Sequence, residues 1–77
     1  MLDPSADDWL QERRHAIGDR IRTERIHRNL TQERLHLAAG ISRWSLQELE
    51  AGRSNPTLDT LLRIARALDT PLADLVR

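Results

Sequence analysis

Residues 31–52, TQERLHLAAGISRWSLQELEAG, hold two short helix patterns joined at a single glycine. Leu35, Ala38 and Ala39 fall on one face of the first, and Leu46 and Leu49 recur at helical spacing in the second. These faces can meet only if the chain turns sharply at Gly40. Glycine takes a positive φ at almost no cost, so it can end the first helix and swing the chain within about three or four residues. Two helices at a tight corner follow.

Both helices start in the same way. Thr31 and Ser42 can each accept a hydrogen bond from an unpaired first-turn amide, a contribution of roughly 1 kcal/mol per cap. Leu30 precedes one cap and can pack on Leu35; Ile41 precedes the other and can pack on Leu46, so the angle of each helix is fixed where it begins.

Working outward, a helix is expected from about His15 to Arg28, closed by Asn29. Upstream, Asp3 can cap a helix with Pro4 in its first position and Asp7 and Asp8 near its positive end. Whether that segment runs unbroken into the next stays open on the sequence, because Gly18 weakens the middle. A helix over 57–68, capped by Thr57, is expected to bury Leu58, Leu61, Leu62, Ala65 and Leu68. Thr70 and Pro71 start a last short helix that brings Leu72, Leu75 and Val76 to the core. The expected fold is all-α with five helices, divided into an acidic N-terminal extension, 1–14, and a body, 15–77.

A chain of 77 residues makes one small domain, in which every packed Leu and Ile counts. It has no cysteine, which excludes disulfides and thiolate-bound zinc, and Trp9 and Trp44 are its only aromatic residues. No apolar run reaches the roughly 18 residues of a membrane span and no signal-peptide pattern is present, so no membrane partner and a cytoplasmic location are expected. His15, His27 and His36 lie on different helices without ligand spacing, and there is no glycine-rich phosphate loop. Neither an enzyme, nor a metal site, nor a cofactor is expected.

Formal net charge is zero, yet it is unevenly spread. Residues 1–12 contain Asp3, Asp7, Asp8 and Glu12 and no base, leaving the remainder with twelve bases against eight acids. All twelve bases are Arg, which suits phosphates and guanine edges better than Lys does, although genomic base composition accounts for the same bias.

Leu30-Thr31-Gln32-Glu33, Ala39-Gly40-Ile41-Ser42, Leu49-Glu50-Ala51-Gly52-Arg53, Asn55-Pro56-Thr57-Leu58 and 61–68, LLRIARAL, occur here in one order and spacing. Together they resemble the helix-turn-helix of the Cro and phage-repressor (XRE, Cro/C1) type over roughly residues 15–76. The resemblance implies a compact lambda-repressor-like domain with an N-terminal helical extension, and double-stranded DNA as partner. His36 departs from the family, which usually has a small residue where the two helices approach most closely; the imidazole is expected to widen that contact or swing outward. Position 24, often apolar in relatives, is Glu24, which implies that the first helix buries Ile17, Ile21 and Ile26 instead.

In such a domain the helix over 42–51 enters the major groove. With Leu46 and Leu49 inward, a rotation of about 100° per residue puts Trp44, Gln47 and Glu48 on the other side, with Arg43 at the exposed start. Arg43 suits guanine O6 and N7, Gln47 adenine N6 and N7, and Glu48 cytosine N4; alternatively Glu48 only orients a neighbouring Arg. Trp44 could press on a thymine methyl or the sugar wall, or serve a partner protein. Gln32 and Ser42, at helix starts, and Arg53, Ser54 and Asn55, in the following loop, match positions that clamp the phosphate backbone. Arg25 and Glu50 match a pair that forms a salt bridge between the first and third helices.

The resemblance therefore implies a sequence-specific transcriptional regulator associated with the nucleoid, a repressor or autoregulator reading operator half-sites as a homodimer, its dimer surface built from the last two helices and the C-terminal end with Leu72, Val76 and Arg77 as candidates. Two alternatives share the fold: an antitoxin that binds a partner protein through Trp9 and Leu10, and a controller of a restriction-modification system.

Overall fold

The computed structural model describes residues 7–77, which form five helices: α1 (Asp8–His27), α2 (Gln32–Ala39), α3 (Arg43–Glu50), α4 (Leu58–Ala67) and α5 (Leu72–Val76). Helix α1 is the spine and packs on α3 and α5, α2 packs on α3 and α4, and α4 closes on α5. Helix α1 runs unbroken through residue 15, so residues 8–14 share one helix with the start of the body. The cap expected at Asp3 and Pro4 lies outside the described residues.

Hydroxyl caps begin α2, α3 and α4. Thr31 accepts from the Arg34 amide at 3.0 Å, Ser42 from Ser45 at 3.0 Å and Thr57 from Thr60 at 3.1 Å. Each of α1 to α4 ends on a left-handed residue: Asn29 at φ 57°, Gly40 at 71°, Gly52 at 72° and Asp69 at 50°. In every case the next amide reaches back to a carbonyl of the last turn: Leu30 to Arg25, Ile41 to His36, Arg53 to Glu48 and Thr70 to Ala65. These bonds satisfy carbonyls that a helix end otherwise leaves unpaired. Asn and Asp tolerate this conformation better than other side chains, which explains two of the four positions.

The core is aliphatic: Ile21, Leu35, Leu46, Ile64, Leu68 and Leu75 are fully buried, with Ala39, Leu49 and Ala65 beside them. Each large member contributes roughly 1.5–3 kcal/mol of burial. Ile17, Leu30, Ile41, Leu61, Leu72 and Val76 pack around this centre, as expected of the staples at 30 and 41 and of the last helix. Four expectations are corrected. Ala38 is exposed and Ala39 alone faces inward. Ile26 is 53% exposed because it lies five residues, about 140° of rotation, from Ile21. Leu58 and Leu62 are 62% and 46% exposed, since the buried stripe of α4 centres on Ile64 and Leu68.

Gly18 has a role that helix propensity does not reveal. A Cβ there would collide with the carbonyl oxygens of Leu49 and Glu50, so α1 and the end of α3 approach closely only because residue 18 has no side chain. Further along α1, Gln11 donates to the Gly52 carbonyl at 3.0 Å. Arg13 donates to the carbonyls of Val76 and Arg77 at 2.9 and 2.8 Å, and Arg20 to those of Asp74 and Arg77 at 3.1 and 3.2 Å. The spine thus holds the ends of both α3 and α5.

Candidate nucleic-acid interface

Helix α3 is fixed from below and open above. Leu46, Leu49 and Glu50 are buried, whereas Arg43, Trp44 and Gln47 are exposed, Trp44 at 68%. Its start is set by the Ser42 hydroxyl, which accepts from the Ser45 amide and donates to the Ser45 hydroxyl at 2.8 Å. Its end is set by Gly52 and by the bond from the Arg53 amide to the Glu48 carbonyl at 2.9 Å. The first two turns of α3 are therefore a rigid outward edge carrying a cation, an indole and a carboxamide.

Two carboxylates of α3 face the flanks of that edge, and both are occupied. Glu50 accepts from Arg25 Nε at 2.8 Å and Nη2 at 3.1 Å, with the side chains of Arg25 and Glu50 only 12% and 4% exposed. Arg25 Nη1 donates to the Leu30 carbonyl at 2.9 Å, so all three guanidinium nitrogens have partners. Glu50 also accepts from Gln32 Nε2 at 3.2 Å, which ties the start of α2 to the end of α3. Glu48 accepts from Arg53 Nε at 3.1 Å and Nη2 at 3.0 Å. These hydrogen bonds, together with the charge of Arg53, hold the Glu48 carboxyl below its ordinary pKa against a smaller opposing effect of burial, and they raise that of Arg53. Each acid of α3 is thus matched by an Arg, and neither stands as an unpaired negative charge on the helix.

The remaining loop residues divide. Arg53 and Asn55 are exposed beside α3. Ser54 is the exception: its hydroxyl oxygen is buried without a hydrogen-bond partner, lining a groove of about 400 Å³ with Leu10, Ile17, Leu49, Pro56 and Leu61. The Ser54 hydroxyl therefore faces the interior of the groove rather than the open side of α3. His36 neither points away from the corner nor leaves it, because its Nδ1 donates to the Ile41 carbonyl at 3.0 Å across the turn.

Sequence reasoning placed Arg43, Trp44, Gln47 and the Arg25–Glu50 pair where the structure has them, and it left the role of Glu48 divided between two readings. It missed the Gln32–Glu50 link and the Gln11 tether, since both join residues that no local pattern connects. Among the described residues no helix is long and apolar enough to cross a membrane, and no group of three or more His, Cys, Asp or Glu could hold a metal ion.

A family model for the helix-turn-helix matches residues 21–75, the span from the middle of α1 to α5. The chain belongs to the Cro/C1-type helix-turn-helix family. This helix-turn-helix protein is 38% identical over 63 residues to the HTH-type transcriptional regulator y4dJ of Sinorhizobium fredii, covering 82% of each chain. It is 32% identical over 73 residues to the control protein C.SmaI of Serratia marcescens, covering 95% of this chain and 87% of that one. Among solved structures, the restriction-modification controller protein C.AhdI from Aeromonas hydrophila superposes with a TM-score of 0.79 at 32% identity, over 80% of this chain and 94% of that one. Membership of this family makes the protein a DNA-binding transcriptional regulator.

Proposed function

We propose that the protein is a repressor or autoregulator that recognises operator half-sites by laying α3 in the major groove. The observation that carries this reading is the outward edge of α3, fixed at both ends and exposing Arg43, Trp44 and Gln47. Arg43 pairs with guanine O6 and N7, Gln47 with adenine N6 and N7, and Trp44 packs on a thymine methyl or the sugar wall. Gln32, Ser42, Arg53, the Ser54 amide and Asn55 hold the phosphates on either side and set the register. Chromosomal DNA would then keep the protein on the nucleoid.

One domain of this size reads few base pairs, so two copies related by a two-fold axis read half-sites about 34 Å apart. Leu72 and Val76 are largely engaged with the core, and the Val76 and Arg77 carbonyls are held by Arg13, which leaves less of the C-terminal face for a second copy than the sequence suggests. The exposed leucines of α4, Leu58 and Leu62, supply a better apolar ridge for the homodimer.

A second reading, control of a restriction-modification system, is favoured by the similarity to two controllers along nearly their whole length. An antitoxin role rests on Trp9, 62% exposed on the first turn of α1, while Leu10 is half-buried in the groove beside Ser54. Selection of bound fragments from a random duplex library tests the leading reading: a recovered palindrome with half-sites one turn apart supports it, and no enrichment overturns it. Light scattering on the selected duplex gives the stoichiometry.

A further inference from the structure

We propose that Glu48, although it lies on the reading side of α3, contacts no base and instead positions Arg53 as a phosphate clamp, so that base recognition rests on Arg43, Trp44 and Gln47. The inference builds on the DNA-binding reading above. Its basis is the way the two side chains meet. Arg53 Nε and Nη2 donate to Glu48 Oε2 and Oε1 at 3.1 and 3.0 Å, so one edge of the guanidinium covers both carboxylate oxygens. Reading a cytosine N4 donor would require that carboxylate to give up or share an ion pair already formed in the free protein.

A guanidinium has five N–H groups in a fixed fork, and the side edge formed by Nε and Nη2 uses only two of them. Nη1 and the outer hydrogen of Nη2 form the end edge, which is the geometry that takes two phosphate oxygens at once. Glu48 is 20% exposed and Arg53 62%, so the carboxylate sits at the base of the pair and the cation at its outer rim. The loop is ordered as well, through the left-handed Gly52 and the bond from the Arg53 amide to the Glu48 carbonyl. The cation therefore reaches DNA already oriented, and the acid that would otherwise repel phosphates carries it.

Glu50 repeats the arrangement two residues on. It accepts from Gln32 Nε2 at 3.2 Å, and Gln32 stands at the start of α2 on the other flank of the edge. Each acid of α3 thus holds one candidate backbone clamp.

A double-mutant cycle on the selected operator and its single-base variants tests the proposal, using Glu48→Ala, Glu48→Gln, Arg53→Ala and the double alanine variant. Glu48→Ala is expected to weaken every duplex by the same factor, Glu48→Gln by less, because an amide oxygen keeps one acceptor. The double variant is expected to bind no more weakly than Arg53→Ala alone, and Arg53→Ala to lower the log-log salt slope by about 0.9, one phosphate. A changed preference at a single base pair in Glu48→Ala, a uniform gain in affinity, or additive losses would each overturn it. Nitrogen-15 NMR on the free wild-type protein gives an independent measurement: the Arg53 Nε–H should exchange with water more slowly than that of Arg43, and equal rates would count against the pair. If the wild type enriches no sequence, the regulator reading fails while the exchange result still reports on the pair.

Discussion

Arg25 and Glu50 meet edge to edge across 25 residues of sequence, with Nε 2.8 Å from Oε2 and Nη2 3.1 Å from Oε1. The pair joins the spine to the reading helix in a nearly dry setting, and its second carboxylate oxygen also serves Gln32. Removing one partner strands a buried charge. Arg25→Ala or Glu50→Ala should therefore cost about 3–5 kcal/mol, seen as a lower midpoint in urea unfolding. Replacing both by apolar residues of similar volume should recover much of that stability but not DNA affinity, because Gln32 loses its anchor. Equal stability of the single variants and the wild type would mean that the pair does not fix the helices.

Arg43 and Gln32 should fail in different ways. Arg43→Ala is expected to relax preference at one operator position, at a cost of about 1–3 kcal/mol against the correct base. Gln32→Ala should weaken all sequences alike. Fluorescence anisotropy on a panel of single-base variants separates the two patterns; a uniform loss for Arg43→Ala would remove it from the base readers.

At Gly18 two effects oppose each other. Alanine in a helix interior is favoured over glycine by about 1 kcal/mol. Its Cβ would meet two backbone carbonyls, which cannot rotate away as a side chain could. Overpacking of this kind costs about 1–3 kcal/mol, so Gly18→Ala should lower the thermal midpoint. A rise would show that α1 and α3 can separate without loss.

Glu48 gives a pH signature. Its carboxyl is held below its ordinary value chiefly by the hydrogen bonds from Arg53. The sign follows from linkage: the pair contributes fully above the unfolded-state pKa of Glu48 and is lost as pH falls through the depressed folded-state value. Carbon-13 titration of side-chain carboxyls should place Glu48 below an exposed glutamate, and Arg53→Ala should move it back up. No movement in that variant would break the link to Arg53.

What was legible in the sequence was what is local. The caps at Thr31, Ser42 and Thr57 and the turn at Gly40 depend on residues within one turn of each other, and all four are as expected. Helical periodicity located the buried faces but not their centres, so Leu58, Leu62 and Ala38 were placed inward when they lie on the margins, as was Ile26 from the family resemblance. Ile64 took the place expected of Leu58 and Leu62. Gly18 reads as a weakness in α1 until the carbonyls of another helix stand beside it. The Ser54 hydroxyl could not be oriented, because an irregular loop has no period from which to infer a direction. Arg25 and Glu50 came from family resemblance, since nothing local pairs residues 25 apart.

Helix α3 keeps its anchors and its readers on separate residues. Leu46, Leu49 and Glu50 hold it down and the Ser42 hydroxyl sets its start, while Arg43, Trp44 and Gln47 stand exposed. Foldedness and target choice can therefore vary independently: exchanging those three side chains should redirect the protein to a new operator without unfolding it. Divergence among duplicated copies, or deliberate reprogramming in the laboratory, could proceed through these positions alone.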